Sequence, residues 1–342
     1  MFQSILERYD IHENYITEKI SVGLINETYK IITINNESYI LQKINDGIFK
    51  NPYAIEENIK VISDFLSFHH PDYLFTTPIV LLTGKQLLHV ENEGYFRLFH
   101  FVENSLSYSI VSTAEQAFKA AAQFGKFTKL LSNVDISTLQ TTLPNFHNLP
   151  LRFTQFEDAL QNGNKNRIAE ATNEIDFLLT QKNIVATYNS IISNPNFKQR
   201  VTHHDTKISN VLFNKNDDAL CIIDLDTVMP GYFISDVGDM MRTYLCPVSE
   251  EENDLSKIDI RKDFYDAIIN GYLSEMQDEL SVEEKKHFHY AGEFAIYMQA
   301  FRFLTDYINN DEYYGITYEK QNYNRAKNQI ALLQKFMNLM VP

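Results

Sequence analysis

The pattern of hydrophobic and polar positions changes along the chain near residue 103. Before that point, short runs of β-forming residues are separated by turn residues and predict strands. These strands are predicted at 15–22, 28–34, 38–44 and 95–102, with a helix at 52–68 and a hairpin of 79–83 with 86–90 between them. After residue 103, apolar residues recur at helical spacing. We therefore predict a small β-rich lobe over residues 1–102 and a larger helical lobe over residues 103–342.

Two sequences in the second half have the Ser-x-x-Glu form of a helix capping box. They are Ser112-Thr113-Ala114-Glu115 and Ser281-Val282-Glu283-Glu284. The first predicts a helix to about Leu131, and the second predicts a helix to about Ile308.

The polar residues with the clearest chemistry lie between 199 and 242. A loop over 203–210 contains Asp205 and Asn210, and it is followed by two apolar runs joined by turn residues, which predict a hairpin. Asp224 and Asp226 end the second run, where both can face that loop. Carboxylate and amide oxygens suit Mg²⁺ and phosphate, and a further carboxylate could take a proton from a hydroxyl group. The alternative is a polar hairpin whose Asp and Asn residues only cap turns.

Composition narrows the class of protein. The chain has 342 residues, of which 44% are hydrophobic, so it is long enough for two lobes with a sizeable core. No apolar run reaches the roughly 18 residues of a membrane helix, and no signal peptide is visible. The net charge of −15 argues against nucleic acid as a partner, and two cysteines without a disulfide pattern favour the reducing cytoplasm. The oligomeric state is not predicted.

The central stretch resembles a known phosphate-transfer motif. His203-x-Asp205 followed by Asn210, and then Ile223-Asp224-Leu225-Asp226, resembles the motif of the aminoglycoside phosphotransferase and choline kinase superfamily. Residues 224–231 and Asp236-Val237-Gly238-Asp239 are similar to the bacterial N-acetylhexosamine 1-kinases. The resemblance implies a bilobal, protein-kinase-like α/β fold that uses ATP and Mg²⁺ to phosphorylate a small molecule.

The resemblance also implies roles for these residues. Asp205 would orient the acceptor hydroxyl and accept its proton, while Asn210 and Asp224 would hold Mg²⁺. Asp226 would assist the metal or contact the sugar. Asp236 would brace the catalytic region.

Nucleotide-binding residues are expected in the N-terminal lobe. Gly23, Asn26 and Thr28 lie in the first strand-to-strand loop, whose backbone amides would cover the phosphates. Backbone groups near Phe99 and Phe101 would bind adenine if the exit of that strand is the hinge. The alternatives are an ordinary turn and an ordinary buried strand.

Lys43 ends the third predicted strand, where kinase-like folds place a phosphate-binding lysine. Its ion-pair partner would be Glu57 on the following helix, although Glu56 is adjacent and both could be solvated residues of a first helical turn. A shift of one residue would direct Gln42 toward the nucleotide instead, because neighbouring strand residues face opposite sides. The sequence leaves this choice open.

Two further residues are candidates for binding the substrate. His147 lies in an irregular segment, 143–150, that resembles a Phe-His element of the hexosamine kinases, and its alternative is a packed loop residue. Arg302 lies in a segment that resembles one near the sugar site, and its alternative is a helical ion pair with Asp306 at i, i+4.

The function implied is transfer of phosphate from ATP to the anomeric hydroxyl of an N-acetylhexosamine, an amino sugar. Choline, homoserine or an aminoglycoside are alternative acceptors. A nucleotide-binding module without catalysis is the alternative from another class.

Overall fold

The computed structural model describes residues 2–20 and 25–339, which form two compact units. The first, which we call the sheet unit, comprises Met1–Ser109, Leu130–Pro144 and Ser209–Pro230. The second, which we call the helical unit, comprises Ile110–Lys129, Asn145–Ile208 and Gly231–Pro342.

The strands in the described residues are β1 Tyr15–Ile20, β2 Glu27–Thr33, β3 Ser38–Ile44, β4 Leu88–Val90, β5 Gly94–His100, β6 Arg200–Thr202, β7 Val211–Phe213, β8 Ala219–Ile222 and β9 Met229–Gly231. The α-helices there are α1 Gln3–Leu6, α2 Pro52–His69, α3 Ala114–Leu130, α4 Leu149–Asn162, α5 Lys165–Glu170, α6 Thr172–Thr180, α7 Asn183–Ile192, α8 Phe233–Tyr244, α9 Lys262–Met276, α10 Val282–Lys285, α11 Phe288–Ile308 and α12 Gln321–Asn338. None of these helices is long and apolar enough to cross a membrane.

The sheet unit contains a five-stranded antiparallel sheet in the order β1-β2-β3-β5-β4. Alternate residues of its strands, such as Ile31, Leu41 and Leu98, are buried together with Ile5 and Leu6 of α1. This alternation follows from the period-two direction of strand side chains, and the opposite face of the sheet has Gln42 and Arg97 as well as the apolar Ile40 and Phe99.

The register of the sheet places three polar side chains in one row. Thr28 of β2 pairs with Gln42 of β3, and Gln42 pairs with Arg97 of β5. Residues opposite each other in an antiparallel pair lie on the same face, so these side chains can contact one another.

A second hairpin of the sheet unit is formed by β7 and β8. The chain after it is fixed by Asn58 of α2, which is fully buried. The Asn58 amide donates to the Val228 carbonyl at 2.9 Å and to the Gln140 carbonyl at 2.8 Å, and its oxygen accepts from the Gln140 N–H at 2.7 Å. This one side chain therefore ties α2 to the segment that follows Asp226.

The helical unit is built around α11. Sixteen of its 21 residues are buried, and it packs against α4, α7, α8 and α12. A helix surrounded by other helices is apolar around most of its circumference, which explains why α11 has no polar face of ordinary width.

Three sequence-based predictions of secondary structure differ from the structure. Residues 79–83 form no strand, because the Leu81 N–H closes a turn to the Lys85 carbonyl and β4 pairs with β5 instead. The capping residue before α3 is Thr113 and not Ser112, since its hydroxyl accepts from the Gln116 N–H. The capping box at Ser281 is confirmed, but its helix ends at Lys285 and α11 starts separately.

Candidate active site

The loop that carries Asp205 is held by two carboxylates of α8. Asp236 accepts hydrogen bonds from the backbone N–H groups of His203 at 3.1 Å and His204 at 2.7 Å. Asp239 accepts from the Thr206 N–H at 2.8 Å. Burial raises the pKa of Asp236 to about 7, although the two backbone N–H groups oppose this shift. The loop therefore has a defined shape that depends on buried carboxylates.

Asp205 is paired with a lysine of its own loop. Its side chain is 16% exposed, and the Lys207 ammonium lies 3.0 Å from its Oδ1. Burial pushes the pKa of Asp205 upward, but the charges of Lys207, His203 and Arg242 outweigh it and hold the pKa below its usual range. Asp205 is consequently a carboxylate at neutral pH, as a hydrogen-bond acceptor for a hydroxyl group must be.

His147 belongs to a packed aromatic cluster of the helical unit. Its ring stacks on Phe146 with 4.4 Å between centroids and lies 5.4 Å from the ring of His204. Ser235 contacts Nδ1 of both histidines, at 2.7 Å for His204. Burial, followed by the charges of His204, Arg302, Arg242 and Arg152, lowers the pKa of His147 well below its ordinary value, so the imidazole is neutral.

His204 requires a glycine beside it. A Cβ atom added to Gly231 would lie 2.4 Å from Cε1 of His204. His204 itself has a left-handed backbone, with φ of 67°. Sequence reasoning missed Ser235 and Gly231 as supports of this loop, and the one signal for the glycine was the Met-Pro-Gly turn that contains it.

A cavity of about 480 Å³ lies between α4 and α11 in the helical unit. Its lining includes Arg152 and Arg302. Arg302 forms no ion pair with Asp306, because the Asp306 carboxylate accepts from the N–H groups of Tyr313 at 2.7 Å and Tyr314 at 3.0 Å. The alternative of a helical ion pair for Arg302 is therefore wrong. Sequence reasoning missed Arg152, which lies in a helical pattern without a motif.

The candidate metal ligands lie at one end of the β7–β8 hairpin in the sheet unit. The Asn210 carbonyl accepts the Ile223 N–H at 2.9 Å, so Asn210 and Asp224 emerge next to each other. Asp224 has a left-handed backbone, with φ of 61°. Within residues 2–20 and 25–339, no group of three or more His, Cys, Asp or Glu side chains could hold a metal by itself. An amide oxygen and a carboxylate fit Mg²⁺ that also binds phosphates and water, because Mg²⁺ needs few protein ligands.

Asp226 is buried in the sheet unit, with 1% of its surface exposed. Its Oδ1 lies 2.5 Å from the Arg97 guanidinium, and its Oδ2 accepts from the Asn26 amide at 2.7 Å. The Gln42 oxygen accepts from Arg97 at 3.0 and 2.8 Å, and the Gln42 amide donates to the Thr28 hydroxyl at 3.3 Å. Arg97 is thus the centre of a polar network that the sequence did not indicate.

The remaining nucleotide-binding candidates have ordinary local contacts. The Lys43 ammonium lies 3.9 Å from Glu27. Glu57 is exposed, and none of the ion pairs among the described residues joins it to Lys43. Phe101 donates its N–H to the Ser38 carbonyl, and Phe99 forms an isolated bridge with Pro78. Gly23 lies outside the described residues, and the roles of the others stay predictions.

The antiparallel sheet unit and the helical unit define a protein-kinase-like fold. The phosphotransferase enzyme family matches residues 16–280, and the chain belongs to this family. That match confirms the expected superfamily and makes the protein a phosphotransferase.

Proteins of known structure that share this fold include phosphotransferases and kinases named for several different small molecules. An aminoglycoside phosphotransferase from Alicyclobacillus acidocaldarius is 10% identical, with 98% of this chain and 95% of that chain covered and a TM-score of 0.63. A microcompartment-associated aminopropanol kinase is 15% identical, with 98% and 95% covered and a TM-score of 0.65. Spectinomycin phosphotransferase in complex with ADP and spectinomycin is 14% identical, with 99% and 98% covered and a TM-score of 0.62. At these identities the likeness shows the fold.

Proposed function

We propose that this protein is an ATP- and Mg²⁺-dependent kinase that phosphorylates the anomeric hydroxyl of an N-acetylhexosamine. The observation that carries the kinase assignment is Asp205, a carboxylate held ionised by Lys207 in a loop that Asp236 and Asp239 fix in place. The amino sugar is proposed from the similarity of residues 224–231 and 236–239 to the N-acetylhexosamine 1-kinases. A spectinomycin phosphotransferase and an amicoumacin kinase with this fold bind ADP and AMP-PNP, which supports ATP as the donor.

In the proposed reaction, Asp205 accepts a hydrogen bond from the acceptor hydroxyl and takes its proton. The hydroxyl oxygen forms a bond to the γ-phosphorus of ATP as the bond from that phosphorus to the β–γ bridging oxygen breaks. The products are the sugar 1-phosphate and ADP. Phosphoryl transfer depends chiefly on positioning and charge neutralisation, so no covalent enzyme intermediate is required.

We propose that Asn210 and Asp224 hold Mg²⁺, which supplies positive charge to the phosphates when it is bound. Asn26, Thr28 and Lys43 are proposed to meet the phosphates, with Glu57 as the partner of Lys43. Gln42 stays the alternative to Lys43, because the register places Gln42 in the row with Thr28 and Arg97, whereas Lys43 pairs with Phe96 on the opposite face of the sheet.

Further parts of the proposal concern the adenine, the lobes and the cell compartment. We propose that backbone groups near Phe99 and Phe101 contact adenine. We also propose that the N-terminal lobe ends at residue 102 and that the C-terminal lobe begins at residue 103. The two cysteines, Cys221 and Cys246, are buried and free, which supports a reducing cytoplasm. His147 and Arg302 are proposed near the acceptor, and Asp226 is proposed to act on the metal site through its network.

The test is ADP release with Mg²⁺ and ATP over a panel of acceptors. The panel contains N-acetylglucosamine, N-acetylgalactosamine, glucose, choline, homoserine and kanamycin. We expect turnover confined to the N-acetylhexosamines, with phosphate on the anomeric oxygen by NMR. Turnover of another acceptor would replace the sugar, and ATP binding without any turnover would support a binding module.

Asp205→Asn provides the mechanistic control. We expect kcat to fall by at least about 100-fold, the lower end of the contribution of a positioned acid–base group. ATP affinity should stay within about two-fold, since Asp205 is not assigned to the nucleotide. Asp72→Asn, at an exposed loop carboxylate, is the matched control and should leave both unchanged. Full activity in Asp205→Asn would remove this residue from the mechanism.

A further inference from the structure

The cavity between α4 and α11 has two arginines without a counter-ion. Arg152 donates to the Gln155 side chain at 3.1 Å and to the Asn145 carbonyl at 3.2 Å, and Arg302 donates to the Gln299 side chain at 3.3 Å. Among the residues that the structure describes, neither guanidinium lies within 4.0 Å of a carboxylate. Partly buried arginines usually have an ionic partner, because burying an unpaired charge is costly.

The two arginines also act on each other. Burial lowers the pKa of Arg152, and the charge of Arg302 lowers it further. The Tyr313 and Tyr314 rings lie 6.0 and 5.6 Å from the Arg302 guanidinium and limit its positions. Two like charges, one on α4 and one on α11, thus line the same cavity at an electrostatic cost that an anion would reduce.

The acidic residues of the cavity do not supply that anion. Asp306 is buried, and its oxygens accept from two backbone N–H groups and from the Asn322 amide at 2.9 Å. Its role is therefore to hold the segment with Tyr313 and Tyr314. Asp158 is exposed to solvent, where its charge is screened.

Two residues that line the cavity each have a buried polar atom without a hydrogen-bond partner among the described residues. These atoms are Nε of Arg152 and the hydroxyl oxygen of Thr305. An unsatisfied buried polar group is destabilising, and such groups often mark a place where a ligand or water completes the bonds. Both groups can donate, so the matching ligand group is rich in acceptors.

We propose that this cavity binds an anionic group, a carboxylate or a phosphate, that the phosphoryl acceptor carries. The planar guanidinium matches both groups because it can donate two parallel hydrogen bonds. The inference rests on the proposed function and restricts its range of acceptors, because it favours an acidic sugar over a cation such as choline. Arg152 and Arg302 both lower the pKa of His147, whose ring lies beside His204, the residue before Asp205. Arg152 also donates to the Asn145 carbonyl, two residues before His147, so the cavity borders the segment whose His147 ring packs on the catalytic loop.

Binding measured without ATP tests the inference independently of catalysis. Isothermal titration would compare N-acetylglucosamine 6-phosphate, glucuronic acid, neutral N-acetylglucosamine and cationic glucosamine at low and high salt. We expect at least one anionic sugar to bind ten-fold more tightly than the neutral sugar, with the preference weakened by salt. The phosphate and carboxylate probes distinguish the two sources of charge. Equal affinities, or tighter binding of glucosamine, would overturn the proposal.

Arginine variants locate the binding. Arg152→Gln and Arg302→Gln should each lower the affinity for the anionic probe at least ten-fold. The affinity for the neutral sugar should change by no more than about three-fold. Arg302→Lys should lose less, since it keeps the charge. Lys262→Gln removes an exposed cation of the same unit and should change nothing. Loss of neutral and anionic binding in equal measure would show that the arginines are only structural, and the proposal would fail.

Thr305→Val separates binding from stability. Removing the unsatisfied hydroxyl should raise Tm in the absence of ligand. The same change should lower the affinity for the anionic probe, so stability and binding should move in opposite directions. A lower Tm with unchanged binding would contradict the proposal. Anion binding without turnover would defeat the proposed function alone, and turnover without charge preference would defeat this inference alone.

Discussion

The ion pair between Arg97 and Asp226 gives the sharpest test of how the sheet unit supports the segment that contains Asp224. The two charged groups are 2.5 Å apart, and their side chains are only 3% and 2% exposed. Gln42 completes the bonding of Arg97, and Asn26 completes that of Asp226. The perturbation is to remove one charge by Arg97→Met or Asp226→Leu, and then both charges by combining these two substitutions.

The magnitude follows from the burial and the separation. At an effective dielectric constant of 20, the attraction at this distance is ~6–7 kcal/mol. Desolvation costs several kcal/mol for each ion, so the net contribution of the intact pair is small. Removing one partner leaves the other charge buried and should destabilise the fold by about 3–5 kcal/mol. Removing both should cost less than either single change, because no buried charge is left.

Urea unfolding followed by far-UV circular dichroism and by tyrosine fluorescence measures these changes, and coincident transitions would justify a two-state analysis. Exposed Lys262 and Asp266 provide a matched ion pair, for which single changes should cost no more than about 1 kcal/mol. Both Arg97 and Asp226 single variants should also bind ATP·Mg²⁺ more weakly, since Asp224 lies two residues from Asp226. Single changes below about 1 kcal/mol, or a double change equal to their sum, would refute this account of the buried pair.

Two further predictions concern the loop that carries Asp205. Gly231→Ala should lower both Tm and kcat, because the added Cβ would meet the His204 ring at 2.4 Å; a melting scan and an ADP-release assay test this, and wild-type values would contradict it. Burial raises the pKa of Asp236 to about 7, whereas the pKa of an aspartate in the unfolded chain is about 4. The stability that Asp236 contributes through this difference is therefore fully present below about pH 4 and is lost as the pH rises through 7. Asp236→Asn should make Tm depend less on pH between about pH 4 and 7. An unchanged dependence would show that other groups cause it.

Much of the site was predictable because it depends on short stretches of chain. The β7–β8 hairpin is local, because its hydrogen bonds join residues near in sequence, whereas the 38–44 strand also pairs with 95–100 and the 203–210 loop is held by Asp236 and Asp239. The adjacency of Asn210 and Asp224 follows from one hairpin register. The motif spacing was therefore sufficient to predict the superfamily that residues 16–280 match.

The sequence by itself determined the class of protein and its combination of a β-rich and a helical part, and the catalytic and metal residues that it indicates stay predictions. Only the tertiary structure decided the partners of the buried charges. Asn26 and Asp226 bond across 200 positions of sequence, and Arg152 faces the same cavity as Arg302 from a different helix. The physical reason is that a charge takes whichever partner the packing of distant elements brings within reach, and no local pattern records that distance.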